Sequence, residues 1–426
     1  MMETAYPTYE SYKASGHDWI SVVPSHWSVE KLGANLRTVS EKNRPDLPLL
    51  SITREKGVIE RDLDDEESNH NFIPDDLSGY KVLRTGQFGM NKMKAWQGSY
   101  GVSQHTGIVS PAYFIFDFTK EVDPDFFNRA IRSKLYVSFF GSASDGVRIG
   151  QWDLNRSRMR EIPLLVPPLP EQRAIAAFLD EKCAKIDEAV KIKEDQIALL
   201  RERRQIIIQN AVTRGLNPTV PMKDSCIDWI GQIPAHWELK KAAWYFAARK
   251  GSNAAELTKE FCGKFPGQFA VYSGQTENEG VLGRIDNFEF DLREQGCMLC
   301  STVGAKAMTI RYLQERFSLS QNCMIITPRD SILNMEFFSH AFAPIFAYFR
   351  NLIPDHMQAS FRMEDFYQMK FLLPPVVEQI EILAFIRKMQ AKLDGGIAIK
   401  EHQIVALNEY KISLINAAVT GKIKVI

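Results

Sequence analysis

The chain has 426 residues, too many for one ordinary domain, and its 45% hydrophobic and 24% charged content is that of a globular protein able to bury a sizeable core. Fifty-two Lys and Arg balance 52 Asp and Glu, which argues against a protein that grips phosphates by bulk charge, because salt-sensitive nucleic-acid affinity comes from clustered cations. No apolar run approaches the roughly eighteen residues of a bilayer span, the start MMETAYPTYESYK lacks a secretory signal's basic head and apolar run, and six scattered cysteines do not suggest a disulfide framework; the expectation is a cytoplasmic protein.

From the N-terminus, YKASGHDWISVVPSHWSVEKL (12–32) opens a first region, 1–165, punctuated by Gly, Pro and Asn. It holds a β-prone run, Gly107–Phe118, and a helix predicted over 125–140. Pro167, Pro168 and Pro170 then open a long helix that Gly215 and Pro218 close, giving a helix-and-linker segment over 166–221. Inside it Ile175, Leu179, Ile186, Val190, Ile197, Leu200, Ile207 and Ala211 recur on alternating three- and four-residue steps, with Lys193 and Arg204 at two seam positions. That period specifies a coiled coil, and about 45 residues at 1.5 Å each span roughly 65–70 Å. A second region, 222–370, follows with β-prone Cys297–Val303 and Asn322–Thr327 and a helix over 334–350. A second long helix, 371–426, carries Ile382, Ile386, Met389, Leu393, Ile397, Ile404, Leu407, Leu414 and Ala418 on the same steps. Gly395-Gly396 predicts a local kink in it, since each Gly costs about 1 kcal/mol against Ala in a helix.

The chain is a duplication. Residues 164–213 align without gaps on 371–420 with 22 of 50 positions identical, and 12–32 matches 222–242 through D-W-I and P-x-H-W. The regions between show no further match. Because domain termini usually lie close together, the second helix must run back along the first. The predicted fold is α+β, with two globular domains joined by two long helices in an antiparallel coiled coil, related by a pseudo-two-fold axis, and the chain's end near the start of the first domain.

Chemistry-bearing motifs are missing. There is no phosphate-binding G-x-x-x-x-G-K-[ST], no G-x-G-x-x-G after a strand, and no Asn/Asp-Pro-Pro-Tyr/Phe of an amino-methyltransferase. Cys297 and Cys300 lie in the apolar string CMLCSTV and read as a core strand rather than half a zinc site. ERDLDDEE (60–67) reads as a solvated loop, and the eight dispersed histidines form no H-x-x-x-H. Glu171-Gln172 and Glu378-Gln379, just after prolines, suit capping and the helix dipole. Trp19, Trp27, Trp229 and Trp237, with His26 and His236, read as a lock between each domain and its helix base.

Zero net charge hides two acid-poor windows. Leu77–Phe116 has no carboxylate but holds Lys81, Arg84, Lys92 and Lys94; Gln295–Arg329 holds only Glu315 against Lys306, Arg311, Arg316 and Arg329. Lys and Arg read guanine and Gln and Asn read adenine. The candidate DNA-contacting residues are therefore Lys92, Lys94, Trp96, Gln97, Ser99, Gln104 and His105 in the first region, and Gln275, Arg284, Thr302, Lys306 and Arg311 in the second. Arg148 and Arg362, each in a loop ahead of a repeated helix, are candidates for phosphate. No catalytic or metal-ligating residue is assigned.

The frame W-I-x-x-[VI]-P-x-H-W, then P-P-x-x-E-Q-x-x-I, K-x-D, K-E-x-Q-I and A-V-T, occurring twice, resembles the specificity subunit of type I restriction-modification systems. GLNPTVPMKDSCIDWIGQIPAHW (215–237) and GQFGMNKMKAWQGSYGVSQHTGIVSPAY (86–113) are also similar to that family, and the resemblance covers nearly the whole chain. It implies two target-recognition domains, each reading half of a split, asymmetric DNA site, with the helices as ruler and as dock for two methyltransferase subunits. Those partners bring S-adenosylmethionine and methylate adenine N6; motor-nuclease subunits using ATP and magnesium complete the complex, and this chain needs no cofactor. Two other readings are a modification-enzyme fragment with its own activity and a coiled-coil scaffold binding proteins instead of DNA.

Overall fold

The computed structural model describes residues 6–61, 74, 76–148, 151–227, 230–275, 277–330, 333–354 and 357–425. They divide into two compact units, Met1–Glu194 with Glu401–Ile426, and Asp195–Lys400. Each unit holds one globular domain and part of both long helices, Leu169–Arg214 and Val376–Val419.

In the first unit, Tyr12–Ala14 pairs with Val22–Pro24, and Ser28–Lys31 pairs antiparallel with Pro163–Val166. The second pairing brings the domain's way in beside its way out, directly ahead of the first long helix. Between them lies an antiparallel sheet in the order Leu36–Val39, Phe114–Phe118, Phe88–Met90, Tyr100–Val102. Phe127, Ile131, Tyr136 and Phe140 cover it, meeting Phe88, Tyr100 and Phe116 in the core. The single helix expected over 125–140 is two, Pro124–Ile131 and Lys134–Ser142. Ser133 between them is extended (φ −65°, ψ 155°), and the Arg132 guanidinium turns away to the carbonyls of Arg54 and Glu55.

The second unit repeats this plan. Met222–Asp224 pairs with Gln232–Pro234, Glu238–Lys241 with Lys370–Leu373, and the sheet order is Phe246–Arg249, Cys323–Pro328, Cys297–Ser301, Ile310–Leu313. The helix Met335–Asn351 sets Phe337, Phe338, Phe342 and Phe346 against Phe246, Phe366 and Phe371. A further sheet of Val281–Ile285, Phe269–Tyr272, Arg316–Leu319 and Phe290–Asp291 is added. Sequence comparison ends at the frame, but the domain folds correspond well beyond it. Cys297 and Cys300 are buried on opposite faces of one strand, in different apolar clusters, so their thiols diverge as an i, i+3 pair on a strand must.

The heptad seam is followed toward both helix ends. In the first unit Ile175, Leu179 and Ile186 pack with Leu414, Ala418 and Val419, and Lys411 bonds both oxygens of Asp187 at 2.6 Å. In the second, Ala211 and Val212 meet Ile382 and Ile386, and seam Arg204 reaches Asp394 at 2.7 Å. Both sets pair rising with falling numbers, as antiparallel strands of a coiled coil do. No kink occurs at Gly395-Gly396: the helix is continuous from Val376 to Val419. Gly396 faces Leu200, whose Cδ1 would lie 3.7 Å from an added Cβ, and Gly395 opens to free space. Packing on both sides of the pair outweighs its low helix propensity.

A carboxylate, buried at Glu171 and half-buried at Glu378, ties each domain to its helices. Glu171, in the first helical turn, accepts from the Trp27 indole (3.1 Å), pairs with His26 Nε2 (2.7 Å) and accepts a short bond from Tyr9. Burial first, then the Glu171 carboxylate, pushes the Tyr9 hydroxyl well above its ordinary range, so it stays a donor. Glu378 accepts from the Trp237 indole (2.9 Å) and pairs with His236 Nε2 (2.5 Å). The neighbouring Gln172 and Gln379 donate back to Pro167 and Pro374, both at 2.9 Å. The helix ends close the arrangement: Gly421 (φ +70°) packs on Pro24 and Trp27, and Gly215 (φ +71°) on Trp237 and Pro234. Near the chain's end Lys424 N–H donates to Pro7 at 2.7 Å, as expected from the duplication. Trp27 and Trp237 are fully buried, but Trp19 is exposed and does not share in the lock; Trp229 and most of the 60–67 acidic run lie outside the described residues.

Two stability predictions arise here. Gly395→Ala should stabilise the full chain by about 1 kcal/mol in urea denaturation, whereas Gly421→Ala should destabilise it, because a Cβ there is strained and collides with the Pro24 ring. Glu171→Ala strands the buried Trp27 and Tyr9 donors and should cost at least about 3 kcal/mol, with Glu171→Gln, which keeps an acceptor, costing less.

Candidate nucleic-acid interface

The two acid-poor windows meet the same structural position in the two domains. Asn91–Ser99 connects strands Phe88–Met90 and Tyr100–Val102, and Thr302–Thr309 connects Cys297–Ser301 and Ile310–Leu313. In the shared sheet order these are the same two strands. Both loops are anchored through their backbones. Lys92 C=O accepts from Leu154 N–H (3.1 Å) and Asn91 N–H donates to Ser99 C=O (3.0 Å). Thr302 C=O accepts from Phe361 N–H (2.8 Å), and Arg350 donates twice to Ala305 C=O (3.0 and 2.8 Å). A held backbone with outward side chains suits recognition, since little order must then be lost on binding.

Lys94 and Lys306 are exposed on these loops, and Arg362 is exposed beside the second, next to Phe361. Lys92 and Gln97 are half-buried in the first loop, and Lys92 bonds Asp153 at 3.0 Å. Trp96 stacks on Trp152 with ring centroids 5.1 Å apart, so one face is already taken. Arg148 ends the strand Ser144–Arg148, in the hairpin whose Leu154 anchors the first loop; its side chain lies outside the described residues. Gln104 and His105 fall at the other end of Tyr100–Val102, away from the loop, with His105 Nδ1 3.3 Å from Glu60. Gln275 and Arg284 belong to the additional sheet and its loop, and donate to the carbonyls of Val281 and Gln268, both at 2.8 Å. Arg311 lies 3.5 Å from Glu279 of that loop, bringing the two segments together.

Two candidates are corrected. Ser99 and Thr302 are 2% and 4% exposed; they sit where each loop meets its strand, and neither hydroxyl reaches a surface.

The electrostatics also differ from a linear reading. Acids from outside the windows fold back onto them: Asp153 onto Lys92, Glu41 onto Arg84 (2.8 Å), Glu60 onto His105 and Glu279 onto Arg311. Positive charge still concentrates beside the first loop, where burial and then the nearby Lys42 and Lys92 hold the Lys81 ammonium below its ordinary pKa. An anion placed there would be favoured. Sequence reading missed Lys42, and also Arg156 and Arg158, which the run NRSRMRE (155–161) could have signalled by three arginines in one short helix. Among the described residues no cluster of His, Cys, Asp and Glu suits a metal ion, and no helix is long and apolar enough to cross a membrane.

Comparison with known proteins agrees with this architecture. A family model described as the type I restriction modification DNA specificity domain matches residues 250–408. A type I specificity subunit of Mycoplasma pneumoniae is 25% identical over 181 residues, 42% of this chain and 63% of that one. The specificity subunit of the type I restriction enzyme MpnII from the same organism is 31% identical over 83 residues, 20% of this chain and 24% of that one. The chain thus spans less than two thirds of the length of these relatives. A solved structure from a study of complex assembly and conformational transition of the type I R-M system superposes with a TM-score of 0.66 at 14% identity, covering 93% of this chain and 98% of the other. The HsdS subunit from Thermoanaerobacter tengcongensis gives 0.50 at 15%, covering 94% and 98%. These two likenesses establish the fold. With a duplicated frame closing on a carboxylate in each copy, and a specificity-domain match over residues 250–408, the chain is similar to the specificity subunits of type I restriction-modification systems.

Proposed function

We propose that this chain is the DNA-reading subunit of a type I restriction-modification enzyme, without a catalytic site of its own. The observation that carries the reading is the pair of anchored loops, at one position of one fold, presenting unlike side chains in the two domains. Equal scaffolds with unequal contents suit a split target with two different halves. Two domains that each read one half of a single duplex call for half-sites about a helical turn, roughly 34 Å, apart.

The partners proposed are two methyltransferase subunits, which supply S-adenosylmethionine and methylate adenine N6, and motor-nuclease subunits using ATP and magnesium, all in the cytoplasm. Exposed apolar residues seven apart on the long helices support docking of partner helices: Leu199 and Ile206 in the second unit, Val405 and Ile412 in the first. With charge balanced overall, much of the phosphate contact falls to those partners. Lys94 and Lys306 are the foremost DNA-contacting side chains in this reading, with Arg362, Lys92 and Gln97 beside them.

Coexpression with the neighbouring methyltransferase gene in a methylation-free host, followed by single-molecule sequencing, should reveal N6-methyladenine in a split motif with unlike halves, lost when this chain is omitted. A stable complex that leaves the DNA unmethylated would overturn the reading. Within the active complex, Lys94→Ala and Lys306→Ala should each weaken DNA binding several-fold and lower the slope of log affinity against log salt by about 1.

A further inference from the structure

The junctions between globular domain and long helix are built alike but charged oppositely. In the first unit Arg129, on the Pro124–Ile131 helix, pairs with Asp180 of the first long helix. In the second unit Glu336, on the Met335–Asn351 helix, takes both arms of Arg387 from the second long helix, Nε at 2.9 Å. Asp180 and Arg387 are one position of the duplicated helix, 207 residues apart. The domain helices correspond as well. Asp123 and Asn334 cap them through the N–H groups of Phe126 and Phe337, and a Phe-Phe pair follows each cap. Aligned on those caps, DPDFFNRAI (123–131) lies on NMEFFSHAF (334–342), so Asp125 answers to Glu336 and Arg129 to His340.

Each domain thus offers its helix base two positions one turn apart. The first domain offers an acid and an arginine. The second offers an acid and a histidine whose pKa burial lowers, Glu336 opposing and Arg387 adding to the fall. Near neutral pH its only full charge there is negative.

We infer that residues 180 and 387 are matching elements that tie each globular domain to its own helix base and disfavour the second domain, from this chain or another copy of it, on the first base. Docked there, Glu336 would face Asp180 with no Lys or Arg of its own helix within a turn. The discrimination is one-sided, because the first domain on the second base would set Asp125 as well as Arg129 near Arg387. The domain-side partners are the shielded ones, Arg129 29% and Glu336 22% exposed against 53% for Asp180 and 61% for Arg387. The effect is accordingly modest and weakens with salt.

Thermal denaturation of the full chain at low salt tests the pairing. Asp180→Arg and Arg129→Glu should each lower Tm by about 2–4 °C, and the two together should return it close to the parent's value by restoring the pair with reversed sign. A combined loss equal to the sum of the single losses overturns the inference. One-sidedness is tested in a chain whose residues 12–166 are replaced by 222–373, so that both bases carry the second domain. There Asp180→Arg should raise Tm, or permit folding, while lowering Tm in the parent; a lowering in both overturns the matching role. Should that chain not fold in either form, the cycle of Arg387→Asp with Glu336→Arg in the parent decides by the same criterion as the first.

Discussion

A carboxylate held in the first turn of each long helix is the interaction on which the remainder depends. Glu171 and Glu378 are each met by a fully buried tryptophan indole and by the preceding histidine, both from the domain's P-x-H-W segment. An anion withdrawn from water, wholly at Glu171 and partly at Glu378, is stable when its oxygens are filled with donors, so domain and helix constrain each other. Place the tryptophan, and the strand that follows it must pair with the strand that feeds the helix. The left-handed glycines at positions 215 and 421 then let a helix end pass close over the same indole. One side chain organises an entry strand, an exit strand, a helix start and a helix end.

The long helices show how polar seam positions are accommodated. Lys411 and Arg204 interrupt otherwise apolar seams, yet each finds an aspartate on the facing helix. Such pairs add little stability at a partly wet surface. The charge-inverted pairs at Asp180 and Arg387 extend the same economy to the junctions: two homologous docking positions in one chain are told apart by sign.

The candidate interface was only partly legible beforehand. The windows were visible because carboxylates are missing over long stretches, and both proved to centre on the same loop of the same sheet. Their charge was not legible. Asp153, Glu60 and Glu279 lie far along the chain or just outside the windows and return to them in space, so a stretch free of acids in sequence is not free of them in three dimensions. Ser99 and Thr302 looked no different from their exposed neighbours in a string of letters, because burial at a loop's root depends on the strand below it.

By itself the sequence determined the duplication, both long helices, their antiparallel return and the lock of tryptophan on helix base. Periodicity and repetition are local properties, written residue after residue and read without knowing what lies opposite. Only the tertiary structure decided that the two unlike domains share one sheet order, that Gly395-Gly396 stays helical, that 125–140 breaks at Ser133 and that the junction charges are inverted. Each of those outcomes turns on partners distant in sequence: Leu200 packed against Gly396, the Arg54 and Glu55 carbonyls drawing Arg132 aside, Arg129 opposite Asp180. Burial and pairing energies between such residues override local propensity, and they exist only once the chain has folded.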